Sequence, residues 1–391
     1  MYSKSNERKI TINSTAVIHA KLIIGDKIIE DKILLFNKKI VEITDDIIMR
    51  DSDNIEIIDA KGAYVSAGFI DLHIHGSGGA DVMDATPEAL ETLCAILPST
   101  GTTSFLATTM TMSPEAIDNA LQNIKDYRFS VCGAEVLGVH LEGPFINMSK
   151  HGAQDKAYIQ APTFSLIEKY MDEVKMITLA PEVAGSETFI KQLTAKYPHI
   201  ILSIGHSDAS YTKSMQSFTW GVSHATHLFN AMNTYHHREP GIVGAVFDAD
   251  VTCDVIADRV HTHISTLELV HKMKKDKLIL ITDAMRAGCM KCGTYDLGGR
   301  RVEVAEGKAL LDDGTLAGSV LKMNEALQNM TTYTSMTLIE AVNAVTQIPA
   351  QKLGIQKGVL KVGYDADIVM FDEAFNILLT VVGGEVKYNA V

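Results

Sequence analysis

Short apolar runs recur between residues 64 and 285, separated by amphipathic stretches such as SPEAIDNALQNIKDY and STLELVHKMKK. The eight runs are YVSAGFIDLHIH, TTSFLATT, AEVLGVHLEG, KMITLAPE, IILSIGHS, SHATHLFNAM, CDVIADRVH and KLILITDAM. Nearly continuous apolar runs are typical of strands buried on both faces, and the stretches between them are typical of helices. Eight strand and helix units in succession predict a closed TIM (β/α)8 barrel.

Both ends of the chain show a different pattern. Residues 10–60 alternate short apolar stretches with polar turns, and Gly25-Asp26 and Asn37-Lys38 resemble hairpin turns. The last residues, GYDADIVMFDEAFNILLTVVGGEVKYNAV, have the same character. We therefore predict an α/β fold in which residues 65–357 form the barrel, while residues 1–64 and 358–391 pair into a small β-sandwich.

Composition narrows the classes of protein that are possible. With 46% hydrophobic and 21% charged residues, the chain can bury a large core. The first residues contain no apolar run of signal-peptide length, and no run reaches the roughly 18 residues of a membrane span. Five scattered cysteines favour a reducing compartment, so a cytoplasmic location is predicted. A net charge of −13 argues against nucleic-acid binding, although a small anion could still bind in a local positive pocket.

Most of the eight apolar runs end on side chains that can do chemistry. In a TIM barrel the active site is built at the carboxyl ends of the strands, so these side chains are expected to converge. They are His73, His75, Glu142, Glu182, His206, His227, His261 and Asp283.

The first run closes on Asp71-x-His73-x-His75. Side chains alternate along a strand, so the two histidines point to the same side and can bind one ion. Gly76 and the glycines that follow it allow a sharp turn at the barrel mouth. This spacing therefore predicts a metal-binding strand end.

Three further strand ends carry potential metal ligands. Glu142 would be awkward to bury unless it is paired with a cation. His206 and His227 each end a strand, and neutral imidazole is a common ligand of divalent metals. His224 lies three residues before His227, on the other side of a regular strand, and is interpreted as structural. His and carboxylate ligands suit zinc, iron, manganese or cobalt, and the sequence does not choose between them.

Asp283 ends the eighth run, in LITDAM. A carboxylate beside a metal-activated water can take its proton and pass it to a departing amine, so Asp283 is the predicted catalytic acid/base. A serine nucleophile is disfavoured because the chain contains no GxSxG elbow. Asn230, the backbone N–H of Ala231 and the guanidinium of Arg238 could together bind an anion, although an exposed surface arginine is the alternative that the residues leave open.

In their order along the chain, the motifs GFIDLHIHG, HLEGPF, GHS, THLFNAM, REPG, TDAM and GTLAGS resemble those of the N-acetylglucosamine-6-phosphate deacetylases of the amidohydrolase superfamily. The resemblance covers nearly the whole chain. It implies metal-dependent hydrolysis of N-acetylglucosamine 6-phosphate to glucosamine 6-phosphate and acetate, in amino-sugar catabolism. It also implies that Glu142, His206 and His227 bind the principal metal and that Asp283 is the acid/base.

The resemblance extends to a second ion and to the substrate. His73 and His75 are similar to those of members with two ions, in which Glu142 would bridge. Arg238 and His261 are implied to act across the interface of a homodimer. The implied substrate contacts are Ala153, Gln154, Asn230, Ala231, Arg238, His261, Leu316, Ala317 and Gly318.

One departure from the family pattern lies after HLEGPF. Some members read Lys-Gly-x-His where this chain has His151-Gly152-Ala153-Gln154, so a sugar contact would pass to Gln154 or be lost. The sequence leaves open the galactosamine epimer of the substrate. A cyclic-amide hydrolase or base deaminase on the same barrel is the alternative enzyme class, although it would not need a phosphate site.

Overall fold

The computed structural model describes residues 14–46 and 55–391. Residues 1–13 and 47–54, which belong to the predicted sandwich segment, lie outside the described residues. The strands that precede the barrel are β1 Ser14–Ile18, β2 Lys21–Ile24, β3 Lys27–Ile29, β4 Ile33–Phe36, β5 Ile40–Thr44, β6 Ile55–Asp59 and β7 Tyr64–Ala67.

The middle of the chain alternates strands with helices. Its strands are β8 Phe69–Ile74, β9 Gly76–Ser77, β10 Ala80–Asp81, β11 Thr102–Thr108, β12 Glu135–Glu142, β13 Val174–Leu179, β14 Ile201–Ile204, β15 Val222–Ala225, β16 Thr252–Ile256 and β17 Leu278–Ile281. Its helices are α1 Pro87–Ile96, α2 Pro114–Tyr127, α3 Ser186–Lys196, α4 Tyr211–Trp220, α5 Gly241–Asp248 and α6 Ile264–Lys274.

The last third of the chain returns to the sandwich. Its strands are β18 Gly293–Leu297, β19 Arg300–Ala305, β20 Lys308–Leu311, β21 Ile368–Phe371, β22 Ile377–Val382 and β23 Glu385–Asn389. Its helices are α7 Met323–Tyr333, α8 Leu338–Val345 and α9 Gln347–Leu353. Short 3-10 helices lie at Val82–Asp84, Leu97–Thr100, Met148–Lys150, Lys156–Tyr158, Phe164–Leu166, Glu168–Tyr170 and Lys275–Lys277.

Eight parallel strands form the predicted barrel. They pair in chain order from β8 through β11–β17, and a parallel bridge between Ile74 and Ala284 joins the last strand end to the first. The central residues of these strands are buried, since side chains of the barrel interior cover one face and the helices cover the other. The carboxyl ends of all eight strands therefore meet at one mouth.

Both ends of the chain build the small sandwich. One sheet has the order β5-β4-β1-β6, and the other has the order β23-β22-β21-β7-β2-β3. Apolar side chains of the two sheets, including Val17, Leu34 and Ile368, form one core. The hairpin turns predicted at Gly25-Asp26 and Asn37-Lys38 connect β2 to β3 and β4 to β5. The prediction of a TIM barrel with a β-sandwich made from both termini is confirmed.

The exact division at residues 64/65 and 357/358 stays a prediction. Tyr64–Ala67 pairs with β2 and β21 in the sandwich sheet. Lys357 is buried and forms ion pairs with Glu135, Asp365 and Asp367, so it connects the barrel to the returning strand. Across residues 14–46 and 55–391, the helices are all too short or too polar to cross a membrane.

A small antiparallel sheet, β18-β19-β20, was not predicted from the sequence. Leu297, Val302 and Leu311 pack against Met110 and Met285 beside the barrel mouth. This sheet therefore forms part of the wall around the strand ends.

Candidate active site

A cavity of about 200 Å³ opens at the carboxyl ends of the barrel strands. Twelve of the residues predicted to form the site line it: His75, Glu142, Ala153, Gln154, His206, His227, Asn230, Ala231, His261, Asp283, Leu316 and Gly318. Met110, Gly152, Leu297 and Thr315 also line the cavity and were not predicted. The strand-end argument therefore found the polar centre of the cavity, and the family resemblance supplied most of the other predicted wall residues.

Three predicted residues lie outside the cavity wall. His73 is fully buried beneath it, and Ala317 is buried behind its two neighbours. Arg238 is exposed in the loop before α5, where its guanidinium contacts the His237 ring at 2.9 Å. No lysine or arginine is among the described residues that line the cavity, so Arg238 does not reach the cavity of its own copy of the chain.

Glu142 stands at the centre of the cluster, at the end of β12. Its Oε1 atom lies 3.0 Å from His206 Nε2 and 3.0 Å from His227 Nε2. Its Oε2 atom lies 3.3 Å from His75 Nε2. Burial raises the pKa of Glu142, but the charges of His73 and His206 outweigh burial and hold the pKa well below its usual value. The carboxylate is therefore ionised, and its two oxygens face different histidines.

Asp283 approaches the cluster from the end of β17. Its Oδ1 atom is 3.3 Å from Nε2 of both His73 and His75, whose Nε2 atoms are 3.2 Å apart. Burial raises the pKa of Asp283, but the charge of His73 and the hydrogen bond from His75 outweigh burial and lower the pKa to about 2. Asp283 is therefore ionised at neutral pH.

The imidazole rings are oriented as metal ligands require. The Nδ1 atom of His75 lies 3.2 Å from the Thr108 carbonyl oxygen, and that of His206 lies 2.9 Å from the Lys150 carbonyl oxygen. Because a carbonyl oxygen only accepts, Nδ1 carries a proton in both rings, so Nε2 is the nitrogen that faces the cluster and would bind an ion in place of a proton. Two groups could each hold an ion: His73, Glu142 and His227, and His73, His75 and Asp283. These residues fit divalent metal binding.

The turns that carry these side chains are strained. His206, His227 and Asp283 all have φ between 32° and 48°, in the left-handed region. Such backbone costs about 1–3 kcal/mol per residue and persists only where neighbours fix it. The buried Asp254 carboxylate accepts a hydrogen bond from the His227 N–H and lies 2.8 Å from His224 Nε2. His224, outside the cavity wall, therefore supports the turn at His227 through Asp254.

Two glycines allow close backbone packing at the site. A Cβ on Gly143 would lie 2.0 Å from Thr111 Oγ1, so only glycine fits directly after Glu142. Gly318 has φ +60°, and a Cβ there would lie 3.0 Å from the Asp283 carbonyl oxygen. The adjacent Ser319 N–H donates to that same oxygen at 2.7 Å. The Leu316–Gly318 loop is thus fixed against the turn that carries Asp283.

His140 supports the site from below and was missed by the sequence analysis. Its Nδ1 donates to the Leu72 carbonyl oxygen at 3.1 Å, and its Nε2 accepts from the Thr178 hydroxyl at 2.7 Å. Its ring packs edge-on against His73, with centroids 4.6 Å apart. Burial and the charge of His73 hold the pKa of His140 well below its usual value, so the ring is neutral. The signal was present, since His140 precedes Glu142 by two residues on the same strand.

Glu182 is one of the polar strand ends expected to converge at the site, but it does not line the cavity. It instead forms hydrogen bonds with the neighbouring loops. It accepts hydrogen bonds from Asn147 Nδ2 at 2.8 Å, Ser207 Oγ at 2.7 Å and the Asp208 N–H at 2.7 Å. Two of these donors directly follow His206. Glu182 therefore fixes the turn that presents His206.

Comparison with known proteins agrees with this geometry. The model of the amidohydrolase family, a family of hydrolytic enzymes, matches residues 64–387. The N-acetylglucosamine-6-phosphate deacetylase of Bacillus subtilis is 42% identical over 333 residues, which cover 82% of this chain and 84% of that protein. The structure of the Pasteurella multocida deacetylase is 32% identical, has a TM-score of 0.91, and covers 96% of this chain and 100% of that one.

A second structure shows a relative with a bound sugar. A mutant of the Mycobacterium smegmatis deacetylase, in complex with N-acetyl-D-glucosamine-6-phosphate, is 27% identical with a TM-score of 0.88, and covers 96% of this chain and 100% of that one. The chain therefore belongs to the amidohydrolase family and, within it, to the N-acetylglucosamine-6-phosphate deacetylases.

Proposed function

We propose that this chain hydrolyses the acetamide of N-acetyl-D-glucosamine 6-phosphate to D-glucosamine 6-phosphate and acetate, in amino-sugar catabolism. The observation that carries the proposal is the convergence of four imidazoles and two carboxylates in one cluster at the base of the cavity, in a chain whose relatives bear this activity. We further propose two divalent ions per subunit, drawn from zinc, iron, manganese or cobalt, and a cytoplasmic location, in keeping with five free cysteines.

Each part of the cluster has a role in the proposed reaction. Divalent ions would lower the pKa of a bound water and polarise the acetyl carbonyl. Glu142, His206 and His227 would hold one ion, and His73 and His75 would hold the other. Asp283 Oδ1 would take the proton of the attacking water and then give it to the departing sugar nitrogen, since its carboxylate is ionised and opens into the cavity.

The substrate would fill the rest of the cavity. Gln154, Asn230 and His261 offer polar atoms, and the Ala153 and Leu316–Gly318 segments supply backbone and apolar wall. The Asn230 Nδ2 atom is buried without a hydrogen-bond partner, and a phosphate or sugar oxygen would satisfy it. The His261 Nδ1 atom is held by Asp258 Oδ2 at 2.6 Å, which leaves Nε2 for the ligand. These features favour an anionic sugar over a cyclic amide.

Acetate release from the gluco and galacto epimers, each with and without added divalent metal, tests the proposal. We expect metal-dependent release from N-acetylglucosamine 6-phosphate with the larger kcat/KM. Faster turnover of the galacto epimer would instead favour the N-acetylgalactosamine-6-phosphate alternative. Turnover of a cyclic amide and of neither sugar would contradict the proposal.

Arg238 is proposed to supply the missing positive charge to the cavity of a second copy in a homodimer. Charge-assisted hydrogen bonds contribute about 1.5–3 kcal/mol, so Arg238→Ala should lower kcat/KM for the phosphorylated sugar by about 10- to 100-fold. Turnover of unphosphorylated N-acetylglucosamine should stay the same. The exposed Arg301, changed to Ala, is the matched control.

A mixing experiment separates action within one chain from action across a dimer. The Arg238→Ala and Asp283→Asn proteins are each expected to be defective alone. If Arg238 serves the partner's cavity, a reassembled mixed dimer contains one site with both native residues, and activity returns in part. Absence of recovery in verified mixed dimers would contradict the proposal that Arg238 acts in the cavity of the partner copy.

A further inference from the structure

Gln154 is buried in the cavity wall, and both ends of its side-chain amide are engaged by the protein. Its Oε1 atom accepts a hydrogen bond from the Thr111 N–H at 2.6 Å. Its Nε2 atom donates to Glu142 Oε2 at 2.7 Å. A backbone N–H can only donate, so the Thr111 contact fixes the amide with its nitrogen facing Glu142.

The backbone of Gln154 is fixed as well. Its N–H donates to the His151 carbonyl oxygen at 2.9 Å, and its carbonyl oxygen lies 3.1 Å from His151 Nδ1. The side chain of Arg300 contacts the preceding Ala153 carbonyl oxygen at 3.3 Å. The Gln154 amide therefore reaches Glu142 from an ordered turn. The Gln154 backbone loses little conformational entropy when the amide binds the carboxylate.

This contact distinguishes the two oxygens of Glu142. The Oε1 atom lies 3.0 Å from Nε2 of both His206 and His227 and 3.6 Å from His73 Nε2, and it receives no hydrogen bond from Gln154. The Oε2 atom faces His75 and accepts a hydrogen bond from the Gln154 amide. A carboxylate oxygen has more than one lone pair, so Oε2 can still bind a cation. Rotation of the carboxylate would break the hydrogen bond from Gln154, so the amide keeps Oε2 directed at His75 and Oε1 directed at His206 and His227.

We propose that Gln154 is the positioning residue that holds Glu142 in its bridging orientation, so that the cation site formed by Glu142 Oε2, His73, His75 and Asp283 is complete. The inference rests on the proposed two-ion function. It differs from the sugar contact implied by the family pattern, because the amide of Gln154 donates its hydrogen bond to a carboxylate of the protein and not to the substrate. One N–H of the amide remains free for a substrate hydroxyl, so the two roles are compatible.

The test is metal binding by Gln154→Met, which keeps the length and approximate volume of the side chain and removes both hydrogen bonds. The metal-free protein is titrated with Mn²⁺, and bound ions are counted by elemental analysis after dialysis. Loss of a partner that orients a metal ligand typically costs about 10- to 100-fold in metal affinity. We expect a loss of this size at the weaker of the two sites, with a smaller change at the tighter one.

A spectroscopic readout separates positioning from general damage. Two Mn²⁺ ions bridged by one carboxylate are magnetically coupled, and this coupling is visible in the electron paramagnetic resonance spectrum. In Gln154→Met the coupled signal should weaken at metal concentrations that saturate it in the wild type. Gln351→Met, on the exposed face of α9, is the matched control. If Gln154→Met does not fold, Gln154→Asn replaces it, since its amide is one methylene too short to reach both partners.

Two results would overturn the inference. One is a folded Gln154 variant with wild-type ion number, affinity and coupled signal. The other is a wild-type chain that takes up a single ion. Neither result depends on turnover, so a chain that binds two coupled ions through Gln154 but releases no acetate would refute the proposed function and leave this inference standing.

Discussion

Asp283→Asn is expected to lower kcat for deacetylation by about 10²- to 10⁴-fold, the usual contribution of a general acid/base. Asparagine has nearly the same shape, but it cannot take the proton of a water or return it to the sugar nitrogen. The ionised Asp283 Oδ1 lies within 3.3 Å of the His73 and His75 rings at the end of β17. Steady-state acetate release with saturating metal measures the effect.

The control for this variant is Asp276→Asn, an exposed aspartate just before the same strand, at the opposite end of the barrel. It should retain wild-type kcat. Metal content must be measured in both proteins, because Asp283 is close enough to the cluster to contact an ion. A variant with full metal content and near-normal kcat would show that another group moves the proton.

The barrel could be predicted because buried parallel strands have a strong local signature. β8, β11 and β17 are buried at every position and rich in apolar residues, and polar residues lie at or just after their carboxyl ends, so both the strands and the mouth could be predicted from the sequence. The small sheet β18-β19-β20 carries no such signature. Its strands are half exposed and pack on a few side chains, such as Met285, that come from the barrel mouth. Its position depends on tertiary contacts that a local pattern does not contain.

The same distinction holds at the site. His206 and Asp283 could be placed together because topology alone brings the strand ends to one mouth. The contacts of Gln154 with Thr111 and Glu142 join loops after two different strands, and no spacing rule relates them. Arg238 is a different case, since its motif indicates an anion contact, one chain leaves it exposed, and its role across a homodimer stays a prediction. Predictions from sequence were therefore most informative where the fold constrains the backbone, and least informative for loop side chains.

Glu142→Gln is expected to have the largest effect on the protein, because it removes a ligand atom from both proposed ions at once. A neutral amide is a far weaker ligand than a carboxylate for zinc, iron, manganese or cobalt ions. Lewis-acid activation contributes several kcal/mol, and each 1.36 kcal/mol is tenfold in rate, so kcat/KM should fall by about 10³-fold or more. Elemental analysis should find less than the wild-type complement of metal.

Chelation and metal addition separate loss of metal from loss of fold. Wild-type protein stripped by a chelator should become as inactive as Glu142→Gln, and added metal should restore the wild type but not the variant. The exposed Glu187→Gln on α3 should follow the wild type at each step. Because Oε1 and Oε2 of Glu142 face different histidines, a variant that regains full activity with added metal would mean that the carboxylate bridges nothing. The six side chains would then have to bind their ions without a shared ligand, which the 3.0–3.3 Å contacts of Glu142 with three imidazoles argue against.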